Sequence, residues 1–448
     1  MSPDGQLYSS SNHPALGAQR REGADQSLAV FLDGVQVGKL VNSGNEITFT
    51  YNKAAKTRGL WISHAMKDLD KTYSGKLKDL PPFFSNLLPE GNRRNAVASS
   101  LGISPSDEFE LFRVLGGEVI GNTRVVPKAQ VAQLTSQIDA DAETLVGSTF
   151  SDMMLMASDV NSPGFDTQSV PGVQSKVSRI VSLVRDAQLG HSHHAKILPL
   201  VIFKLAERQY KHLVANESFF MSVAERAGIR TAQHTLISDE AGDTCLLVER
   251  FDRRTVDGEM KRIYVEDGCQ LLGRPPVEKY SGSFERLSLA VMGAVDDPKQ
   301  AAEELFRAYI FSYGIGNGDL HSKNVSVWRN PESGKVEITP HYDIINTYVY
   351  GDKTMALSVE GNKTNISPKK FLAFAKRLGI EPERVAEIAT EVSGAIKDSI
   401  SMLGQIGFDQ DTQIKCAKML GQRGGVIEDL ATRALVQVPN PGPHFGDR

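Results

Sequence analysis

An aspartate and an asparagine five residues apart, in a glycine-rich turn, constrain this 448-residue chain more than any other feature. The turn reads Gly316-Asn317-Gly318-Asp319-Leu320-His321-Ser322-Lys323-Asn324, after the apolar run EELFRAYIFSYGI and before the strand-like VSVW. A carboxylate at Asp319 can face an attacking hydroxyl while the amide oxygen of Asn324 reaches a metal on phosphates. Nineteen residues on, past the strand-like VEITP, stands His341-Tyr342-Asp343. Asp343 supplies a second oxygen ligand at a strand end, which suits Mg2+, an ion content with one or two protein oxygens plus phosphate and water. Asp and Asn also cap ordinary turns, and Asp319 with Asn324 alone would fit that equally well. Adding Asp343 and the flanking strands favours the chemical reading.

The five-residue separation is that of the protein-kinase catalytic loop. Composition leaves room for such a fold. With 40% hydrophobic and 23% charged residues, disordered, collagen-like and coiled-coil chains are excluded. The length predicts two or three domains. A net charge of −4 gives no chain-wide field for polyanions, so any nucleic-acid role requires a local patch or a partner. Cys245, Cys269 and Cys416 are scattered and odd in number, which predicts reduced core thiols. No apolar run approaches the roughly 20 residues of a membrane span, and the N-terminus lacks the apolar segment of a signal peptide. These features predict a soluble, cytoplasmic protein.

The chain divides into a disordered tail (1–26), a first unit (27–128), a connecting segment (129–165), a strand-rich unit (166–250), a mainly helical unit (251–436) and a second tail (437–448). In the first unit, LAVFLDGVQVGKLV predicts a hairpin about Asp33-Gly34, and ITFTYN a strand. PPFFSNLLPEGNRRNAVASSLGI reads as helices, and DEFELFRVL as another, capped by Ser104 or Ser106 and stopped by Gly116-Gly117. In the strand-rich unit, KVSRIVSLV and PLVIFKLA predict strands, NESFFMSVAERAGI a helix ending at Gly228, and TAQHTLISDEAGDTCLLVERFD a hairpin. From Tyr264 the pattern turns helical, with the strand pair VSVWRNPESGKVEITPHYD inserted.

Lys204 ends the apolar strand LVIFK. A buried ammonium needs a partner, and Glu217 at the start of the next helix is the candidate, with phosphate as the ligand. A lysine reaching solvent from a strand edge is the alternative; Lys196 is a rival in a shorter, His-rich strand. Backbone amides in Ser169-Val170-Pro171-Gly172-Val173-Gln174-Ser175-Lys176 can cradle phosphate, although the loop matches neither the Walker pattern nor the glycine-rich kinase loop. Leu246-Leu247-Val248-Glu249-Arg250-Phe251-Asp252-Arg253-Arg254 predicts a strand entering either a lobe-connecting hinge or an exposed ion-pair cluster worth little. Asp267 and Gln270 precede a helical stretch with no chemistry of their own. His191, His193 and His194 read as a solvated turn, whereas His321 can contact phosphate or position Asp319.

Taken together, these segments resemble the HipA family of serine/threonine kinases, the toxin halves of HipBA-type toxin–antitoxin modules. NGDLHSKNVSV is similar to its catalytic segment, ITPHYDII to its metal-binding segment, LLVERFDRR to its hinge, SVPGVQSK to its phosphate loop and ANESFFMSVAERAGI to its regulatory helix. FFSNLLPEGNRRNAVASSLGI and FELFRVLGGEVIGNTRVVP resemble its N-terminal domain, so the likeness runs from about Leu28 to about Ser358. The resemblance implies an α+β, bilobal protein-kinase-like (PI3/4-kinase-like) fold with an extra N-terminal α/β subdomain and a mainly helical C-terminal lobe. It implies an ATP- and Mg2+-dependent kinase with Asp319 as catalytic residue and Asn324 and Asp343 as metal ligands. ATP would meet Pro171 to Lys176, Lys204, Glu249, Arg250, Phe251, His321, Ser322, Lys323 and Tyr342, supported by Glu217, Asp267 and Gln270. Ser169 matches the loop serine that such kinases autophosphorylate, and a dianionic phosphate there would exclude ATP phosphates.

A HipB-like helix-turn-helix antitoxin, operator DNA through it, and a protein substrate such as glutamyl-tRNA synthetase are the implied partners. Ser175, where some relatives carry an acidic residue, and Ala206, where proline is frequent, depart from the family. A catalytically degenerate corepressor and a small-molecule kinase are the competing expectations.

Overall fold

Asp33 and Gly34 both take positive φ, 46° and 78°, the geometry of a two-residue turn whose twist matches its strands. They join β1 (Ser27–Leu32) to β2 (Val35–Asn42) in the computed structural model of the chain. The structure describes residues 26–135, 150, 176–179, 201–205, 210–239, 242–256 and 259–436. With β3 (Ile47–Tyr51), β4 (Tyr73–Ser74) and β5 (Thr123–Pro127) the hairpin forms an antiparallel sheet ordered β4-β3-β2-β1-β5. β1 is buried along its whole length. One face joins Leu40, Phe49, Phe84, Phe109 and Phe112, and the other packs Ala29 and Phe31 against Val126. That double burial explains its unbroken apolar run.

The Glu108–Leu115 helix is capped by neither expected serine. Asp107 accepts from the Glu110 amide at 3.2 Å, whereas Ser104 and Ser106 bond each other at 2.7 Å. Asp107 immediately precedes the first helical residue, the place from which a side chain reaches the third amide.

A second antiparallel sheet, ordered β6-β7-β9-β8, comprises β6 (Lys176–Arg179), β7 (Val201–Leu205), β8 (His234–Ser238) and β9 (Thr244–Glu249). The Leu213–Arg226 helix joins its core to the helical unit through Phe220 and Val223. β10 (Arg253–Val256) and β11 (Glu259–Arg262) form a separate hairpin that the sequence reading did not foresee. The expected strand pair is β13 (Ser326–Arg329) with β14 (Val336–Ile338), and β12 (Val265–Asp267) adds an unforeseen third strand. The helices Phe284–Met292, Pro298–Ile315, Pro368–Leu378, Pro382–Ile400 and Gln410–Val436 share one core built on Phe306, Phe371, Phe374, Ile396 and Ile427. The chain is thus α+β. Cys245, Cys269 and Cys416 are free and buried. Among the described residues no helix is long and apolar enough to cross a membrane. Both expected tails, most of 129–165 and the His191–His194 turn lie outside the described residues.

Of the two readings of the segment after β9, the exposed ion-pair cluster is excluded, because its charges are interior. Arg250, Asp252 and Arg253 are 1%, 3% and 5% exposed. The Arg250 guanidinium forks onto the Asp252 carboxylate at 2.8 and 2.7 Å. Arg253 reaches Asp252 at 2.6 Å and the carbonyls of Val119 and Gly121 at 2.7 and 3.1 Å. Burial opposes charge on Asp252, but Arg250 and Arg253 outweigh it and hold its pKa far below the ordinary carboxylate range. The cluster rivets the N-terminal sheet to the rest of the chain, because all three charges are satisfied only where that sheet's last turn arrives.

Candidate functional site

Strand alternation places the first residue of the site. Val201 and Phe203 of β7 pack with Cys245 and Leu247 on one side, so the intervening Ile202 and Lys204 face the opposite way, into a cavity of about 440 Å³. Lys204 is 2% exposed, and its ammonium is ion-paired with both Glu217 of the Leu213–Arg226 helix and Asp343. Burial works against the ammonium, but the two carboxylates outweigh it and raise the pKa. The solvent-reaching alternative for this lysine is therefore replaced by a buried triad.

Asp319, Asn324 and Asp343 all line this cavity. The Pro298–Ile315 helix ends at Gly316 in left-handed backbone (φ 73°), which turns the chain into the catalytic segment. Gly318 is required by close approach: a Cβ there would lie 2.5 Å from both Asp352 Oδ2 and the Thr354 carbonyl. Asn324 sits in the 3₁₀ turn Ser322–Asn324 and donates its Nδ2 to the Asp319 carbonyl at 2.9 Å. That bond commits the amide nitrogen to the turn, and the amide oxygen is the atom a cation would use. Asp343 adopts φ 56°, a left-handed conformation uncommon for a non-glycine residue and frequent at functional sites. One carboxylate, one amide oxygen and a buried ammonium match a magnesium–phosphate ligand in donor chemistry. No group of three or more His, Cys, Asp or Glu side chains among the described residues could hold a metal unaided.

His321 is buried, and among the described residues its Nδ1 has no hydrogen-bond partner. Burial, reinforced by Lys279, lowers its pKa to about 3, so the imidazole is neutral and offers a polar nitrogen to a ligand. The Ser322 hydroxyl is likewise buried without a partner. Lys323 lines the cavity, but its ammonium turns to Asn86, whose carbonyl and Oδ1 accept at 2.9 and 3.0 Å, and to Asp267 at 3.3 Å. Asp267 and Gln270 close a capping box on the Gly268–Leu271 helix, and Gln270 also donates to the Phe83 carbonyl at 3.0 Å. Phe251 and Tyr342 stand with rings 5.9 Å apart, and the Tyr342 hydroxyl donates to the Lys323 carbonyl at 2.8 Å. Glu249, Arg250 and Phe251 border the same cavity. With Ile202, Val248 and Val265 this wall offers apolar surface for a flat ring, while the charged residues suit an anionic group. Lys176 pairs with Lys204 in the β6–β7 ladder. Ser169 and Pro171, Gly172, Val173, Gln174 and Ser175 lie outside the described residues.

The cavity also takes walls that the sequence did not mark. Asn86, Leu87, Glu90 and Ile120 come from the N-terminal unit, and Lys279, Tyr280 and Asp352 from loops. Glu90 pairs with Lys279 at 2.8 Å, and Tyr280 donates its hydroxyl to Asp319 Oδ1 at 2.6 Å. Nothing local in LLPEGN marks its glutamate; only the long-range pairing with Lys279 reveals its use.

Residues 28–126 match the HipA N-terminal domain family and residues 168–400 the HipA-like C-terminal domain family. The chain is 27% identical over 435 residues to the serine/threonine-protein kinase toxin HipA of Shewanella oneidensis, covering 88% of this chain and 96% of that protein. Y4mE of Sinorhizobium fredii, whose name carries the word kinase, is 29% identical over 373 residues, 79% of this chain and 86% of its own length. Among solved structures, the Shewanella oneidensis MR-1 complex of HipA, HipB and operator DNA contains a chain of similar fold. The TM-score is 0.62 at 23% identity, with 91% of this chain and 97% of that one covered.

Proposed function

The chain belongs to the HipA family, and on that footing we propose that it is a cytoplasmic, ATP- and Mg2+-dependent protein serine/threonine kinase. In this reading the second sheet and the helical unit are the two lobes of a protein-kinase-like core. One observation carries the proposal: Lys204, Asp319, Asn324 and Asp343, from three separate stretches, line one cavity, with Lys204 already tied to Glu217 and Asp343.

Asp319 accepts the proton of the acceptor hydroxyl. Lys204, stripped of water and held by Glu217, binds phosphate oxygens without further desolvation. Asn324 and Asp343 would hold the metal, and the Asp343 side chain, 23% exposed against 3% for Glu217, is the more open of these two cavity-lining carboxylates. When bound, Mg2+ neutralises phosphate charge during transfer. Positioning and charge placement dominate catalysis of this kind.

The kinase names of the relatives support this activity. The HipB and operator DNA of the Shewanella complex support a small helix-turn-helix antitoxin as partner and DNA contact through it. Growth arrest through an aminoacyl-tRNA synthetase, and self-silencing at Ser169, complete the reading. Purified protein incubated with labelled ATP and Mg2+ should label itself or a lysate protein, and Asp319→Ala should not. No labelling by the wild type under any divalent ion rejects the kinase reading. Phosphate found by mass spectrometry only at sites other than Ser169 rejects the self-silencing.

A further inference from the structure

Tyr280 approaches the proposed base from outside the catalytic segment. Its hydroxyl donates to Asp319 Oδ1 at 2.6 Å, a short charge-assisted bond. Tyr280 is 44% exposed, and its partial burial and the adjacent Asp319 carboxylate both push the phenol pKa up, so the phenol stays a donor across the working pH range. The preceding residue, Lys279, is buried, and its ammonium pairs with Glu90 Oε2 at 2.8 Å. That ammonium also lies 5.4 Å from the Tyr280 ring centroid, and the Lys279 carbonyl accepts from the Ser322 amide at 3.1 Å. Glu90 belongs to the N-terminal unit, so a continuous strut runs from that unit to Asp319.

We propose that Tyr280 is a positioning residue for Asp319, and that Glu90, acting through Lys279, fixes where Tyr280 stands. The proposal rests on the kinase reading, because it takes Asp319 as the proton acceptor. A carboxylate has about four lone-pair sites on two oxygens. With the phenol on Oδ1, the rotation of the carboxylate toward the acceptor hydroxyl is fixed. The Tyr280 ring also packs edge-on against His321, with centroids 5.1 Å apart. Tyr280→Phe preserves that packing and removes only the donor.

In the full-length protein Y280F should lower kcat about 10- to 100-fold while KM for ATP stays within about 2-fold. The acid limb of its kcat profile should move to higher pH, because a hydrogen bond to the charged form of a carboxyl depresses its pKa. E90Q should act in the same direction, and the double variant should be little worse than Y280F, as residues acting through one another are not additive. A readout independent of turnover is 13C NMR of tyrosine-labelled protein, with Y280F assigning the Tyr280 signal. D319N and E90Q should each move that signal. Wild-type kcat and pH profile in Y280F, or a Tyr280 signal indifferent to D319N, overturns the positioning role. A signal indifferent to E90Q overturns the part given to Glu90. A wild type that transfers no phosphate, with a signal that responds to both changes, rejects the kinase reading and leaves the strut standing.

Discussion

Two clusters of buried charge border the cavity, and they differ in what completes them. Arg250, Asp252 and Arg253 are closed by the protein itself, through one another and through the carbonyls of Val119 and Gly121. Lys204, Glu217 and Asp343 all line the cavity, with Glu217 at 3% side-chain exposure and Asp343 at 23%. Burial removes water from both clusters, and the loss is offset only by well-made partners. A cluster whose partners all come from the fold can do nothing but hold the fold. A cluster that shares its cation with a carboxylate at a cavity edge can exchange that carboxylate for a ligand anion. The distinction between structural and functional charge is therefore geometric: it lies in how far a group is exposed, 4% or less for the side chains of Arg250, Asp252 and Arg253 against 23% for Asp343.

Several measurements would break or sharpen that contrast. The largest effect is expected on the open side. Asp319→Ala should reduce phosphoryl transfer by about 10²–10⁴-fold, the usual range for losing a positioned base. Its urea-unfolding free energy should stay within about 0.5 kcal/mol of the wild type, as for a surface change. On the closed side the order inverts. Asp252→Ala strands two buried guanidiniums and should cost about 3–5 kcal/mol of stability, read as a lower urea midpoint. If Asp252→Ala melts like the wild type, the closed cluster is not structural and the comparison fails.

A smaller effect follows from two histidines buried in neutral form. Burial, with Lys279 assisting, lowers the His321 pKa to about 3, and burial with Arg230 lowers that of His341 to about 4. In the unfolded chain both titrate near 6.5, so below that pH the unfolded chain binds protons that the fold refuses. Their contribution to stability is intact above about pH 6.5. It declines by roughly 1.4 kcal/mol per pH unit for each histidine as pH falls, until His341 protonates near 4 and His321 near 3. Urea unfolding of the nucleotide-free protein at pH 7.5 and 5.5 should show the decline, and His341→Gln should remove its share. The smallest effect belongs to the exposed Lys56–Asp70 pair, whose side chains are 45% and 87% accessible. Lys56→Ala should change stability by less than about 1 kcal/mol, a control for charge removed without burial.

Local chemistry was legible in the sequence; burial at long range was not. The turn at Asp33-Gly34 and the end of the Leu213–Arg226 helix just before Gly228 depend on a few neighbouring residues, and they formed as read. Asp319, Asn324 and Asp343 were legible as donors because their spacing carries chemistry, although their shared cavity had to be seen in the structure. The misreadings have one origin. Arg250-Phe251-Asp252-Arg253 has the composition of a solvated turn, and only the arrival of residues 119–121 makes it interior. Ser104 and Ser106 are good capping residues, but they stand three and one positions before Asp107, the residue that caps. Glu90 and Tyr280 carry no local mark, since their partners Lys279 and Asp319 lie 189 and 39 residues away.

The cavity's walls run from Asn86 to Asp352 along the chain, which has a consequence in time. A ribosome releases the wall bearing Asn86 and Glu90 first, and that portion waits on the order of tens of seconds before Asp319 and Asp343 follow at ordinary elongation rates. Until then Glu90 has no lysine and the last turn of the first sheet has no arginines to receive. The nascent chain carries a finished edge to a pocket that does not yet exist, and competence arrives all at once, when the final third is made.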